Sequence, residues 1–172
     1  DPQSLDSIVK NRHAIRSFTS RHVSRSQVFE ILDIARFSPS NSNTQPWKVY
    51  VVTGEFKLQL GKAIFDAHME SANTHNAEYL HFPVPLFGGY KDCQEEFARL
   101  YYSALNIDRQ DKSSRHLQTG KNYLFFDAPV GMIFTIDKGL ERGSWLDYGC
   151  FLQTIMLAAK SRGIDSCPQI SF

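Results

Sequence analysis

The sequence has little of several features that would assign it to particular classes of protein. Its 19 Lys and Arg residues are balanced by 18 Asp and Glu residues, and no basic stripe marks a nucleic-acid interface. No apolar run approaches the roughly 18 residues of a membrane span, and the N-terminal segment DPQSLDSIVK lacks the layout of a signal peptide. We therefore expect no nucleic-acid partner, no membrane association and a cytoplasmic location.

Cysteines and glycine-rich motifs are equally sparse. The three cysteines, an odd number, include no pair with zinc or redox spacing, which favours a reducing compartment. His68 and His75 could share a helix face, but no carboxylate accompanies them, and we expect no metal site. Neither a dinucleotide fingerprint nor a P-loop is present, and no Ser, Cys or carboxylate constellation has the spacing that hydrolysis demands.

The apolar patterning predicts an α+β chain with several helices and two or three short strands. Ser24 and Gln27 have the spacing of a capping box, and apolar residues follow at helical spacing. Similar signals predict helices over 5–11, 55–71, 93–106 and 146–162, the last ended by Gly163. Residues 49–52 and 130–136 predict strands, and we expect the first to be covered on both faces.

The segment from Phe37 to Val52, FSPSNSNTQPWKVYVV, places dense polar chemistry between two hydrophobic elements. Pro39 should end the preceding helix, and four small hydrogen-bonding residues follow it. Such loops, held by a rigid helix and a rigid strand, often contact ligands. The alternative is a solvated turn whose Asn and Ser side chains bond their own backbone.

Arg12 and Arg16 lie four residues apart in a segment that alternates apolar and polar side chains. An extended backbone would direct both guanidinium groups to one side. Their planar donor forks suit a phosphate or paired carbonyl oxygens. The alternative is a pair of ordinary surface arginines.

The length predicts a single domain over 1–172. Within it, residues 78–110 form an aromatic, proline-rich insertion that neither a helix nor an internal strand would tolerate at its start. We interpret the insertion as a lid over a flat ligand or as a mobile excursion. The sequence stops directly after a loop signal, and we expect a further C-terminal segment.

Three motifs in order, RHAIRSF at 12–18, SPSNSNTQPW at 38–47 and GIDSCPQ at 163–169, resemble the FMN-dependent nitroreductase family. The middle segments FPVPLFGGY, LYYSALNI and FFDAPVGMIF resemble the nitroaromatic-reducing branch that includes nitrobenzoate reductases. The resemblance implies a mixed sheet flanked by helices in a domain-swapped homodimer with two FMN sites at the subunit interface. Ala14 departs from the family pattern, which often has Ser there, and this removes one phosphate contact.

The resemblance also implies roles for individual residues. Arg16 would reach the pyrimidine edge of FMN and act as the catalytic cation, and Arg12 would hold the phosphate with the backbone near His13 and Ala14. The same flavin would be lined from the other subunit by Pro39, Ser40, Asn41, Ser42, Asn43 and Gln45. The backbone around Pro168, Gln169 and Ile170 would face N5. Aromatic walls for the substrate would come from Phe82, Phe87, Tyr90 and Tyr101.

The implied activity is NAD(P)H-dependent reduction of a small nitroaromatic substrate by a ping-pong hydride-transfer mechanism, with FMN as cofactor. A cation near N1 and C2=O would stabilise the reduced, anionic flavin as an oxyanion hole stabilises an oxyanion. Two alternatives on the same scaffold are quinone reduction and reductive dehalogenation of aromatics. A third is a flavin-binding protein without turnover.

Overall fold

The computed structural model describes residues 4–70 and 78–170. The chain divides into unit 1, residues 1–60 with 125–172, and unit 2, residues 61–124. In chain order the elements are α1 (Leu5–Asn11), α2 (Arg25–Ala35), β1 (Trp47–Thr53), α3 (Gly54–Glu70), α4 (Gly88–Ala104), α5 (Lys112–Gly120), β2 (Val130–Ile136) and α6 (Arg142–Ser161). Short 3-10 turns cover Asn41–Asn43 and Phe125–Asp127.

The predicted starts of α1 and α2 are confirmed by their caps. The Ser4 hydroxyl accepts a hydrogen bond from the Ser7 backbone N–H at the start of α1. At α2 both halves of the capping box form, since Gln27 N donates to Ser24 Oγ and Ser24 N donates to Gln27 Oε1. Each bond satisfies an N–H that the first helical turn leaves without an intrahelical partner.

The core of unit 1 lies between α2 and α6. Its buried members are two residues of α2 and four of α6, namely Ile31, Ala35, Phe151, Ile155, Ala158 and Ala159. Trp47, the first residue of β1, stacks on Phe151 with ring centroids 4.5 Å apart. Small alanines on both helices allow close approach, so α6 becomes the element against which the neighbouring loops are positioned.

The sheet of the described residues consists of β1 and β2, paired antiparallel from Trp47 opposite Ile136 to Thr53 opposite Val130. The prediction that β1 is covered on both faces is wrong for this chain, because Tyr50 and Val51 are exposed while Val52 is buried. The sequence run lacks polar alternation, yet of the β1 residues Trp47 and Val49 pack against the α2–α6 core. Gly131 is required in β2, since a Cβ there would lie 2.5 Å from Phe125 Cε1.

Several predicted helix limits needed correction. α4 begins at Gly88, so the loop after residue 78 is shorter than predicted, and α6 begins at Arg142 rather than Leu146. α5 was not predicted, because its sequence KSSRHLQTG has too few apolar residues to show a helical period. On α3, Phe56 fits the apolar stripe of the predicted 55–71 helix but is 63% exposed, whereas the next residue, Lys57, is buried.

Unit 2 contains α4, α5 and the C-terminal part of α3. Gly120 permits close packing, since a Cβ there would lie 2.6 Å from Phe65 Cε2. The rings of His68 and His116 stack with centroids 4.2 Å apart. No group of three or more metal-ligating side chains occurs among the described residues, and His75 lies outside them. Within the same ranges, no helix is long and apolar enough to cross a membrane.

Candidate functional site

The first and third sequence motifs lie side by side in unit 1. Ala14 forms a parallel bridge with Ser166, and the Ile15 N–H donates to the Ser166 carbonyl oxygen at 3.1 Å. The far end of the first motif is fixed where Phe18 N donates to the Phe126 carbonyl oxygen at 3.3 Å. Residues about 150 positions apart in sequence therefore form one surface.

Both arginines of the first motif are half-buried, unlike ordinary surface arginines. Arg12 caps the C-terminus of α1, and its backbone N–H donates to Ile8 O. Arg16 Nη1 lies 3.4 Å from the Ala14 carbonyl oxygen, to which it donates. His13 is exposed and Ala14 is half-buried at the bridge.

Cys167 lies close enough to Arg16 to sense its charge. Burial raises the pKa of the Cys167 thiol, and the nearby Arg16 guanidinium opposes that rise. The thiol is therefore predominantly protonated at neutral pH and behaves as an apolar wall rather than as a nucleophile.

The polar loop of the second motif has an unusual backbone. Ser42, Asn43 and Gln45 have φ angles of 53°, 55° and 46°, in the left-handed region that L residues seldom adopt. Such strain persists only where surrounding contacts hold it, and it clusters at ligand sites. Ser40 Oγ accepts from Gln45 N at 3.0 Å and closes the loop internally.

Both ends of this loop are attached to α6. Ser38, which is buried, places its hydroxyl 2.7 Å from the Ala35 carbonyl oxygen and 2.9 Å from Thr154 Oγ1. Farther along, the Asn41 N–H donates to Asp147 Oδ2 at 3.0 Å. Trp47 then anchors the loop's exit on Phe151.

The loop's two interpretations apply to different residues. Ser40 bonds the loop backbone, as expected of a solvated turn. The side chains of Asn41, Ser42 and Asn43 are exposed and make no hydrogen bond to any described residue. Three polar side chains on a tethered, strained loop remain available to a ligand, while Pro39 and Gln45 are exposed beside them.

The segment after Cys167 supplies another polar atom. Gln169 Oε1 is buried and has no hydrogen-bond partner among residues 4–70 and 78–170, whereas Pro168 and Ile170 are exposed. A buried acceptor with no donor is uncommon in folded proteins and requires a cause. It lies three residues after the Ala14–Ser166 bridge.

The predicted substrate residues lie in unit 2. Phe82, Phe87 and Tyr90 are exposed, and the rings of Phe87 and Tyr90 meet edge to face at 5.7 Å. Tyr101 is half-buried, and its hydroxyl accepts a hydrogen bond from Gln118 Nε2 at 2.8 Å. Tyr101 thus has a packing role inside unit 2.

A model of the Nitroreductase family matches residues 9–172. The chain belongs to the nitroreductase family. It is 48% identical over 169 residues to a 4-nitrobenzoate reductase of Pseudomonas putida, an alignment that covers 98% of this chain and 73% of that protein. It is 43% identical to a nitrobenzene nitroreductase of Ectopseudomonas oleovorans, covering 96% of this chain and 73% of the relative. The predicted family and oxidoreductase class are confirmed.

A solved member of the family has the same fold. The FMN-dependent nitroreductase NfnB of Mycobacterium smegmatis, crystallised with NADPH, superposes with a TM-score of 0.91 at 30% identity. The comparison covers 97% of this chain and 74% of that one. The predicted α+β, nitroreductase-like fold is therefore confirmed, with the antiparallel β1–β2 pair and the parallel Ala14–Ser166 bridge as its mixed pairing.

Two residues that support the site of this nitroreductase through hydrogen bonds to the backbone were not predicted from the sequence. Asp147, which accepts the Asn41 N–H, is an acidic residue in an otherwise apolar helical run, and that was the available signal. Lys57 is buried and donates to the Ala128 carbonyl oxygen next to the Phe125–Asp127 turn. The sequence gave no indication of its burial, because lysine is seldom buried and the neighbouring Phe56 fitted the apolar stripe.

Proposed function

We propose that this member of the nitroreductase family binds FMN and uses NAD(P)H to reduce nitroaromatic compounds. NAD(P)H and the nitroaromatic substrate bind in turn in a ping-pong cycle. The observation that carries the proposal is the pairing of Ala14 with Ser166, which sets the half-buried Arg16 near Cys167 of the third motif. The names of the relatives, 4-nitrobenzoate reductase and nitrobenzene nitroreductase, support the substrate class.

The residues present fit FMN. The two half-buried guanidinium groups, together with the exposed Asn41, Ser42 and Asn43 side chains that the other subunit would contribute, form a donor and acceptor set suited to a phosphorylated, amide-rich ring system. When bound, FMN supplies the centre that accepts and donates hydride. Arg16 holds a positive charge for the pyrimidine edge, which favours the reduced, anionic form.

The remaining roles follow the motif positions. Arg12 and the backbone of His13 and Ala14 would hold the phosphate group, and the backbone of residues 168–170 would face the flavin ring. In this proposal, the Pro39–Gln45 loop lines the flavin of the other subunit. Its attachment to α6 through Ser38 and Asp147 keeps the loop in one conformation and lowers the entropy cost of binding.

A domain-swapped homodimer belongs to this proposal. Both β1 and β2 have a free edge in the described residues, and two-stranded sheets are seldom stable alone. The chain also exposes many large hydrophobic side chains of unit 1, including Phe37 at 72% and Leu146 at 72%. Apolar surface of this kind suits a subunit interface.

Three further proposals concern organisation and location. We regard residues 1–172 as one nitroreductase-like domain and residues 78–110 as its substrate lid, with Phe82, Phe87, Tyr90 and Tyr101 as aromatic walls. The exposed Phe87–Tyr90 pair supports aromatic stacking. A cytoplasmic location suits the three free cysteines, Cys93, Cys150 and Cys167.

An anaerobic visible spectrum of the full-length protein tests the proposal. We expect a yellow protein that bleaches on adding stoichiometric NADPH and regains its colour with 4-nitrobenzoate. Bound FMN that NADPH or NADH does not bleach would indicate a flavin-binding protein without turnover. A protein that takes up no added FMN would contradict the site assignment. Turnover on a quinone and a halophenol, compared with 4-nitrobenzoate, tests the substrate class.

A further inference from the structure

The Phe125–Asp127 turn has a backbone conformation that L residues avoid. Its three residues have φ angles of 57°, 48° and 66°, so three consecutive non-glycine residues lie in the left-handed region. One such residue is already uncommon, because its Cβ approaches the following carbonyl oxygen, and a run of three multiplies that cost. Such a turn persists only where contacts with the rest of the chain hold it.

Lys57 supplies contacts of this kind from α3. Its side chain is buried, and its Nζ donates to the carbonyl oxygen of Ala128, the residue that directly follows the turn. The same Nζ lies 5.8 Å from the centroid of the Phe125 ring, within the range of a cation–π contact. The amine therefore contacts both ends of the turn, while the buried Phe125 and Phe126 side chains attach the turn to unit 1.

A lysine at this position does not serve general stability. Burial of an ammonium group is unfavourable. The first turn of α3, where Lys57 lies, also disfavours a cation, because the partial charge at a helix N-terminus is positive. A methionine of similar length would avoid both costs. What the lysine adds is its hydrogen bond to the strained turn.

The turn is connected directly to the first sequence motif. The Phe18 N–H donates to the Phe126 carbonyl oxygen at 3.3 Å, and the Ile15 N–H donates to the Ser166 carbonyl oxygen at 3.1 Å. Arg16 lies between these two hydrogen bonds. Its position therefore depends on the turn on one side as well as on the third motif on the other.

We propose that Lys57 is a positioning residue for Arg16, because it holds the turn that fixes the Phe18 end of the first motif. This inference rests on the proposed function, which assigns Arg16 to the pyrimidine edge of FMN. Without the lysine hydrogen bond, the turn is held less firmly and the Phe18 N–H loses its fixed acceptor. A guanidinium group that is placed less precisely stabilises the anionic edge of reduced FMN less well.

The test is Lys57→Met in the full-length protein, which keeps the side-chain length and removes the amine. In the flavin-free variant, we expect the Phe18 amide proton to exchange roughly tenfold faster than in the wild type, as for one lost hydrogen bond. NMR-detected hydrogen exchange measures this. The midpoint potential of bound FMN should become more negative, in the same direction as in Arg16→Gln.

Combination with Arg16→Gln separates positioning from other effects. If Lys57 acts through Arg16, Lys57→Met shifts the potential of the wild type but not that of Arg16→Gln. A shift of equal size in both backgrounds would contradict the proposal, since it would come from the lysine charge itself. Lys62→Met is the matched control, because it removes the same charge from an exposed position of α3 and should change neither quantity.

An unchanged Phe18 exchange rate or an unchanged potential in Lys57→Met would overturn the proposal. The flavin-free wild type provides a test that does not require the variant to fold. A Phe18 amide protected relative to the exposed Thr19 supports the attachment, and one that exchanges as fast as Thr19 refutes it. Failure of the proposed function is seen separately, because the wild-type protein would then bind no FMN.

Discussion

Arg16 combines a fixed charge with a fixed position, since its segment is paired with Ser166 and its Nη1 bonds the Ala14 carbonyl oxygen. We predict that Arg16→Gln makes the midpoint potential of bound FMN more negative and slows bleaching by NADPH. The lost charge-assisted contact corresponds to roughly 10- to 100-fold in the preference for reduced over oxidised FMN. Potentiometry and anaerobic stopped-flow absorbance measure the two quantities.

Arg16→Lys is the matched control for that change. Lysine keeps the positive charge but loses the planar fork. The midpoint potential of bound FMN in Arg16→Lys should therefore lie close to the wild-type value, while its FMN affinity stays below that of the wild type. An unchanged potential and hydride rate in Arg16→Gln would show that the charge has no catalytic role.

The buried Lys57 makes the stability of the protein depend on pH. It lies next to the Phe125–Asp127 turn, where the Phe126 carbonyl oxygen accepts the Phe18 N–H. Burial lowers the pKa of Lys57 from its usual 10.5, and the charge of Asp127 partly opposes this. The folded state therefore penalises the protonated amine, and the penalty is relieved as pH rises from the folded pKa to 10.5. We predict that the wild type gains stability relative to Lys57→Met across that interval.

Urea unfolding of both proteins as a function of pH measures the effect. Lys62→Met removes an exposed lysine from the same helix and serves as control. A stability difference between the wild type and Lys57→Met that stays constant with pH would contradict the assigned burial.

At the scale of elements, the strained loop depends on α6. The Ser38 hydroxyl connects the end of α2 with Thr154 of α6, and Thr154 Oγ1 donates to Cys150 O. We predict that Ser38→Ala lowers the free energy of unfolding by about 1–3 kcal/mol, because buried partners lose a hydrogen bond. FMN binding should weaken as well, since the loop is less well held.

Equilibrium urea unfolding and FMN titration check this prediction. Ser103→Ala, an exposed position on α4, is the control and should change stability by less than about 0.5 kcal/mol. Normal stability with normal FMN affinity in Ser38→Ala would mean that the loop holds its shape without the α2–α6 connection.

The helices differ in how well sequence predicted them, and the reason is physical. α2 has a complete capping box and an apolar stripe that meets the core at Val28, Ile31 and Ala35. On α3, the apolar stripe and the buried face differ, because the Ala128 carbonyl oxygen, between the Phe125–Asp127 turn and β2, provides an acceptor for Lys57. Local signals therefore predict where a helix forms better than which face it buries.

At the scale of the molecule, exposed apolar surface and free sheet edges favour a second copy of the chain. Phe37 is 72% exposed and directly precedes the loop proposed to reach the other subunit's flavin. We predict that Phe37→Glu raises the dimer dissociation constant roughly tenfold or more and lowers the FMN bound per chain. A buried carboxylate without a partner would oppose association.

Sedimentation velocity over a range of protein concentrations measures the association. Val84→Glu, at an equally exposed apolar position in unit 2, is the control and should leave the dimer intact. A Phe37→Glu variant that still sediments as a dimer with full FMN content would exclude this face from the interface.

The sequence by itself determined the helix caps, the α+β class, the family and the three motifs, since these depend on local spacing and residue type. Tertiary structure alone decided that Ala14 meets Ser166, that Asp147 holds Asn41 and that Lys57 rather than its neighbour Phe56 is buried. Among the described residues, it also left Gln169 Oε1 without a donor. These features join residues far apart in sequence, and their partners are selected by packing against α6 and the sheet, which no local pattern encodes.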